Sequence, residues 1–248
     1  MAEPILRAEG LAKRYGGVVA TDNVWLEVLR GEIHALIGPN GAGKTTIVHQ
    51  LSGATRPDAG RIVFDGRDLT RASCHERVAL GLARSYQITS IFGRFSALDN
   101  IALAVLGRSG SSLRFWRPFA GERAVFDEAR ATLERVGLAG RAGVAAALLA
   151  HGEQRQLEIG LALATHPRLV LLDEPTAGMG PEEADRMVRL IDSLRGALSV
   201  LLIEHDMDAV FRLAGRISVL VSGRVIASGP PDEIRANADV KRAYLGEE

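Results

Sequence analysis

The stretch that decides the fold is Ile33-His34-Ala35-Leu36-Ile37 followed directly by Gly38-Pro39-Asn40-Gly41-Ala42-Gly43-Lys44-Thr45. The apolar run predicts a strand, the glycine-rich segment a loop, and Ile47-Val48-His49-Gln50-Leu51 a helix beyond it. Glycines let successive backbone N–H groups point into one concavity, and the helix adds its positive N-terminal end. The segment fits G-x-x-x-x-G-K-[ST], in which Lys44 reaches the β- and γ-phosphates and Thr45 offers a hydroxyl to Mg²⁺. A glycine-rich turn without a ligand is the alternative, but the strand before it and the helix after it favour phosphate binding.

Composition narrows the class of protein. The chain has 248 residues, 47% of them hydrophobic and 24% charged, which is ordinary globular usage and excludes wholesale disorder. Its 30 basic and 30 acidic residues cancel, so a general nucleic-acid binder is not expected. Cys74 is the single cysteine, which excludes an internal disulfide and a cysteine-rich zinc site. The sequence shows no signal peptide and no apolar run of membrane-spanning length, so we expect a soluble, cytosolic chain.

A second motif follows an apolar run further along the chain. Leu169-Val170-Leu171-Leu172 leads directly into Asp173 and Glu174. In parallel α/β sheets, ligands bind at the carboxyl ends of strands, where the phosphate loop also lies. Asp173 is therefore expected to hold Mg²⁺, through water, and Glu174 to polarise a water molecule for attack on the γ-phosphate. Two carboxylates at a solvent-exposed strand end are the alternative.

The remaining patterns predict an α/β fold. Residues 10–35 and 60–70 are expected to form a mostly antiparallel β layer, and residues 71–160 to be helical. Val200 to Ile203 is a second four-residue apolar run, separated from the first by a helix over residues 181–194, as in parallel strands joined by helices. Residues 217–221 and 225–227 predict a last strand pair, with a terminal helix from about Pro231.

The two motifs together resemble those of P-loop ATPases, and a third motif resembles that of one family among these ATPases. Leu149-Ala150-His151-Gly152-Glu153-Gln154 is similar to the signature sequence of ATP-binding-cassette (ABC) proteins, usually L-S-G-G-Q. It departs from that pattern at Ala150 and His151, where Ser and Gly are commonest. The alanine lacks a hydroxyl that could contact the γ-phosphate, while Gly152 and a helix start after it keep a backbone anion site available.

Three more residues fall where this family has functional ones, although each alone would be unremarkable. Tyr15 lies 23 residues before Gly38, where the family places an aromatic ring that stacks on adenine. Gln87 matches a glutamine that touches Mg²⁺ and senses the transported substrate, and His205 matches a switch histidine at the γ-phosphate.

The resemblance therefore implies three sets of site residues. The catalytic residues would be Glu174, His205 and Lys44. Mg²⁺ would be bound by Thr45, Gln87 and Asp173. The nucleotide contacts would be Tyr15, Gly38, Pro39, Asn40, Gly41, Ala42, Gly43, Lys44, Thr45, Thr46, Ala150, His151, Gly152, Glu153 and Gln154.

Within the family, the chain most resembles the ATPase subunits of branched-chain amino-acid importers. The segments that carry this likeness are Gly81–Gln87, His151–Ile159, Ala177–Pro181, Leu202–Met207 and Lys241–Glu247. ATPases of urea or amide importers and of a lipopolysaccharide exporter share parts of the set and stay open as alternatives. A soluble ABC ATPase that acts on nucleic acid or ribosomes is more remote, since such proteins usually join two cassettes or carry long coiled coils and basic arms.

The likeness also implies an organisation and partners. We expect a P-loop ABC ATPase fold in a single domain, 1–248, with a parallel-sheet nucleotide-binding core and antiparallel β subdomain in 1–86 and 161–248, and an inserted helical subdomain in 87–160. Two such subunits would pack head to tail, so that the signature of one completes the ATP site of the other. The expected partners are membrane permease subunits, a second ABC ATPase subunit and, indirectly, a periplasmic or extracellular solute-binding protein, with no nucleic acid. The chain would be cytoplasmic and peripheral on the inner face of the cell membrane.

Residues 107–121, GRSGSSLRFWRPFAG, read as a loop or insertion. Its basic and aromatic residues could meet a membrane subunit or lipid headgroups. A solvated loop is the favoured interpretation.

Overall fold

A computed structural model describes residues 3–85, 91–108 and 123–245. Its strands are β1 Pro4–Tyr15, β2 Val18–Leu29, β3 Ile33–Ile37, β4 Ala59–Phe64, β5 Arg67–Asp68, β6 Leu82–Arg84, β7 Leu169–Asp173, β8 Ser199–Ile203, β9 Arg216–Val221 and β10 Arg224–Gly229. Its helices are α1 Lys44–Ser52, α2 Cys74–Ala79, α3 Ala97–Arg108, α4 Arg123–Arg135, α5 His151–Ala164, α6 Pro181–Asp192, α7 Met207–Leu213, α8 Pro231–Ala236 and α9 Ala238–Leu245. None of the described helices is long and apolar enough to cross a membrane.

The chain divides into two units, and the first contains both sheets. It comprises Met1–Arg84, Arg168–Glu174 and Ile191–Glu248. Its larger sheet has the strand order β10-β9-β3-β8-β7-β6, in which β10 is antiparallel to β9 and the other pairs are parallel. Every residue of β3, β7 and β8 is buried, as expected of parallel strands covered on both faces.

The smaller sheet of this unit is antiparallel, with the order β2-β1-β4-β5. Ala8 of β1 pairs with Leu26 on one side and Ile62 on the other, and all three side chains are buried. The alternation of buried and exposed residues along β2 shows that one face of this sheet packs on the core.

Arg77 of α2 holds the C-terminal end of α1 in place. Its guanidinium is buried and donates to the carbonyl oxygens of Gln50 at 2.7 Å and Leu51 at 2.6 Å, and also to that of Leu69 at 2.6 Å. Burial lowers the pKa of Arg77. A cation at this end of the helix satisfies carbonyls that have no partner within the helix and complements the helix dipole.

The second unit comprises Ser85–Pro167 and Pro175–Leu190 and is helical where it is described. Helix α3 begins after a capping pair, in which Ser96 accepts from the Asp99 N–H at 3.1 Å and donates to its carboxylate at 2.6 Å. A Cβ at Gly160 of α5 would lie 2.9 Å from Ile101, so the glycine lets α5 approach α3 closely.

The fold class and most elements predicted from the sequence are confirmed, and three details need correction. Residues 33–35, expected in the antiparallel β layer, belong to β3 of the mostly parallel sheet. Leu82–Arg84 lies in the expected helical region but forms β6, because it pairs with β7 in the buried sheet. Gly107 and Arg108 end helix α3 rather than begin a loop, and the rest of the expected insertion lies outside the described residues. The expected domain boundaries place residues 161–167 and Pro175–Leu190 with the core, whereas the contacts group them with the helical unit, and the boundaries stay a prediction.

Candidate functional site

The loop between β3 and α1 requires glycine at two positions. Gly43 has φ 105°, and a Cβ there would lie 2.2 Å from the carbonyl oxygen of Ala20. At Gly38 a Cβ would lie 2.2 Å from the carbonyl oxygen of Leu220. The loop is therefore pressed against both sheets of the first unit, and only hydrogen fits at these positions.

The N-terminus of α1 is open to an anion. Among the described residues, no side chain caps it, and its first turn carries no acidic residue. By contrast, α2 is capped by Ser73, which accepts from the Glu76 N–H at 3.3 Å. Uncapped N–H groups and the positive end of a helix dipole together favour a bound phosphate.

Lys44 lies across the loop that precedes it. Its side chain is buried, and Nζ donates to the carbonyl oxygens of Gly38 at 2.5 Å and Pro39 at 3.1 Å. Burial lowers the pKa of Lys44, and the carboxylates of Glu174 and Asp173 act against that shift. The ammonium group is thus within electrostatic reach of both acidic residues at the end of β7.

Asp173, the last residue of β7, is held by a buried arginine that the sequence analysis did not single out. Arg84 Nη2 donates to Asp173 Oδ2 at 2.9 Å, and the two side chains are only 6% and 3% exposed. A buried pair is tolerated only with good geometry, because both charges have left water. The fork of an arginine suits a carboxylate in this setting.

Glu174 turns the chain sharply at the end of β7. Its φ is 49°, a left-handed conformation that costs a non-glycine residue on the order of 1 kcal/mol. Its backbone N–H donates to the carbonyl oxygen of Ile203 at 2.9 Å. The Glu174 carboxylate lies 3.9 Å from Nδ1 of His205, so the turn brings these two side chains together.

A second buried carboxylate, also missed from the sequence, supports His205. Glu204 is fully buried, and its Oε2 accepts the backbone N–H groups of His205 at 3.0 Å and Asp206 at 3.3 Å. Asp206 then caps α7 by accepting the N–H of Asp208 at 3.0 Å. The His205 backbone is therefore fixed between a strand end and a helix start.

Tyr15 lies at the same end of the first unit as the phosphate loop. Tyr15 pairs with Val18 across the β1–β2 hairpin. Val18 lies two residues before Ala20, whose carbonyl oxygen would be 2.2 Å from a Cβ at Gly43. The Tyr15 ring is half exposed, and the Lys13 ammonium lies 5.7 Å from its centre. A half-exposed aromatic ring can stack on a base.

In the second unit, the signature-like segment forms the start of α5. Ala150 is the N-cap and has no side-chain acceptor, but its N–H donates to Glu153 at 3.0 Å. Arg141 donates to the other Glu153 oxygen at 2.8 Å. Gln154 donates to the carbonyl oxygens of Ala146 and Leu149. The helix begins at His151, two residues before the expected start after Gly152, so Gly152 lies within its first turn.

Comparisons with known proteins agree with this geometry. A family model described as "ABC transporter" matches residues 21–177. The chain is 40% identical to the high-affinity branched-chain amino acid transport ATP-binding protein LivG of Salmonella typhimurium, over 100% of both chains. It is 39% identical to BraF of Pseudomonas aeruginosa, a protein with the same description, again over 100% of both.

The chain belongs to the ABC transporter family. A solved structure of the ADP conformation of MJ1267, an ATP-binding cassette of an ABC transporter, resembles this ABC ATPase with a TM-score of 0.86 and 29% identity, covering 99% of this chain and 100% of that one. A second family model, for the branched-chain amino acid ATP-binding cassette transporter, matches residues 224–248. The family resemblance and fold class predicted from the sequence are thereby confirmed, as is the ATPase class.

The structure of this ABC ATPase gathers part of the predicted site. Lys44, Asp173, Glu174 and His205 are linked by contacts and charge within one unit. Gln87 lies outside the described residues. The roles of the individual site residues stay predictions.

Proposed function

We propose that this ABC ATPase is the ATP-hydrolysing subunit of an importer for branched-chain or other hydrophobic amino acids. The observation that carries the hydrolytic part is the convergence of Lys44, Asp173, Glu174 and His205 beside an uncapped helix N-terminus. The solute class rests on the sequence identity of 40% to LivG and 39% to BraF over the full length of the chains. It also rests on the match of residues 224–248 to the family model for the branched-chain amino acid ATP-binding cassette transporter.

Residues 38–46 are proposed to bind the phosphates of ATP. The backbone N–H groups around Gly43 and the start of α1 supply a concave anion site, and Lys44 supplies a positive charge. Thr45 and Thr46 follow Lys44 in the first turn of α1, where Thr45 is exposed and offers its hydroxyl. Tyr15 is proposed to stack on the adenine.

The donor set at this site fits Mg²⁺. A threonine hydroxyl and an ionised aspartate are hard oxygen ligands, which Mg²⁺ prefers in company with phosphate oxygens and water. We assign these roles to Thr45 and Asp173, together with Gln87. Mg²⁺ would neutralise developing negative charge on the phosphate oxygens.

Glu174 is proposed as the group that accepts a proton from the attacking water. Its carboxylate is partly exposed at the end of β7, within electrostatic reach of the Lys44 ammonium and 3.9 Å from Nδ1 of His205. A carboxylate can accept this proton, whereas an amide cannot. The His205 ring, 60% exposed, is proposed to donate to the γ-phosphate.

The signature residues Ala150, His151, Gly152, Glu153 and Gln154 are proposed to act on ATP bound by a second subunit. One chain would then hold half of each site, and isolated protein would hydrolyse ATP slowly at low concentration. ATP-driven closure of the subunit pair would be transmitted to membrane permease subunits, with a solute-binding protein acting indirectly. The proposed location is the cytoplasmic face of the membrane, bound to those permeases.

The test is to tag the chain in its native cell, extract it in mild detergent and identify co-purifying proteins by mass spectrometry. Recovery of permease subunits, followed by ATP-dependent leucine uptake in vesicles, is the expected result. Uptake of urea or amides instead, or export of lipopolysaccharide, would overturn the solute class. Recovery of ribosomes or nucleic-acid enzymes would overturn the transport assignment.

A further inference from the structure

We infer that Arg84 is a positioning residue that aims the Asp173 carboxylate at the metal. This inference rests on the proposed role of Asp173 as a Mg²⁺ ligand. It adds an arginine outside the phosphate loop and the acidic strand to the machinery of hydrolysis.

The Arg84 side chain is held from more than one side. It stands at the end of β6, where it pairs with Leu171 of the neighbouring strand. Nη2 donates to Asp173 Oδ2 at 2.9 Å, and Nη1 lies 3.4 Å from Oγ of Ser52, the last residue of α1. The guanidinium therefore joins the acidic strand to the helix that begins at the phosphate loop.

A fixed bond to one carboxylate oxygen sets the direction of the other. Water is nearly excluded from the pair, so Asp173 cannot exchange this bond freely for one to solvent. Groups that hydrogen-bond a metal-ligating carboxylate orient it, and their loss typically weakens metal affinity or activity by about 10–100-fold.

Arg84 could affect Mg²⁺ binding in two ways, by orienting the Asp173 carboxylate or by placing a positive charge beside it. These two effects predict opposite changes in Mg²⁺ affinity when the arginine is replaced. A positive charge next to Asp173 by itself repels Mg²⁺, so removing that charge would tighten metal binding. If the main role of Arg84 is to orient the Asp173 carboxylate, replacing the planar guanidinium weakens Mg²⁺ binding even when the substitution also removes the positive charge. If the ion pair were only structural, its loss would lower the stability of the protein and leave the Mg²⁺ dependence of nucleotide binding unchanged.

The experiment uses Arg84→Lys, which keeps the charge but loses the planar fork, and Arg84→Gln, which keeps an N–H donor but loses the charge. Binding of a fluorescent ATP analogue to the full chain is measured in EDTA and across a Mg²⁺ titration, with thermal unfolding recorded for each variant. Arg216→Lys is the matched control, because Arg216 pairs with Glu32 at 2.8 Å at the amino end of β9. Asp173→Asn tests the metal ligand itself.

We expect both Arg84 variants to raise the half-saturating Mg²⁺ concentration about tenfold, with unchanged affinity in EDTA. Arg216→Lys should behave as wild type. An unchanged Mg²⁺ requirement in both Arg84 variants, or tighter Mg²⁺ binding in Arg84→Gln, refutes the inference. If Asp173→Asn also leaves the Mg²⁺ dependence unchanged, the proposed metal site itself fails.

Discussion

Glu204 offers a sharp test of how the His205 turn is built. Its buried carboxylate accepts two backbone N–H groups, those of His205 and Asp206. Glu204→Leu removes the acceptor and leaves both N–H groups without it. Glu204→Gln keeps an oxygen acceptor of nearly the same shape and removes only the charge.

The structure gives the expected magnitudes. A fully buried donor that loses its acceptor costs about 1–3 kcal/mol. His205 is exposed and Asp206 is half-buried, so water can replace part of what their N–H groups lose, and Glu204→Leu should lower the free energy of unfolding by about 1–3 kcal/mol in total. Neutral hydrogen bonds are roughly half as strong as charge-assisted ones, so Glu204→Gln should cost about 1 kcal/mol or less. Displacing His205 by about 1 Å should lower kcat on the order of 100-fold in the leucine variant.

The assay is steady-state ATP hydrolysis at high protein concentration, together with denaturant unfolding of each variant. We expect kcat to fall strongly for Glu204→Leu and mildly for Glu204→Gln, while the affinity for ATP changes little. A folded Glu204→Leu protein with wild-type kcat would show that the buried carboxylate does not position His205.

Two further predictions concern nucleotide binding and pH. Lys44→Ala removes the charge from the phosphate loop, so the affinity for a fluorescent ATP analogue should be lost; unchanged affinity would refute its role. Burial raises the pKa of Glu32, but bonds from His34, the Leu29 N–H and Arg216 outweigh burial and lower that pKa from 4.5 to about 2. Because the folded pKa is depressed, the stabilisation is present above about pH 4.5 and is lost as pH falls toward 2. Between pH 7 and pH 3, denaturant unfolding should therefore show a loss of stability that is larger in wild type than in Glu32→Gln by about 1.5 kcal/mol. Both proteins keep a further loss, because other carboxylates such as those of Asp65 and Asp58 also have lowered pKa values; equal losses in the two proteins would contradict the prediction.

The phosphate loop and acidic strand could be predicted because their chemistry is local. Gly43 and Lys44 stand at fixed spacings within a few residues of a buried apolar run, and Asp173 and Glu174 end another. Both runs proved to be fully buried parallel strands, so the expected meeting of their carboxyl ends followed from sheet geometry.

The supporting residues could not be predicted in the same way. Arg84 acts through a residue 89 positions away, and β6 is only three residues long, too short for a hydrophobic period to be read. From the sequence alone, Glu204 is one of several acidic residues that follow a predicted strand, and nothing in the pattern indicates that it is fully buried in the fold. Only tertiary contacts show that these two charges support the site.

Glu174→Gln, compared with wild type in ATP binding and in ATP hydrolysis, tests directly whether Glu174 is the base. The amide cannot accept the proton of the attacking water, while the phosphate loop and Asp173 are untouched. We expect ATP affinity in Mg²⁺ close to that of wild type and turnover lowered by about 100-fold or more. Wild-type turnover in this variant would contradict the assignment of Glu174 as the base and, with it, the proposed mechanism of hydrolysis.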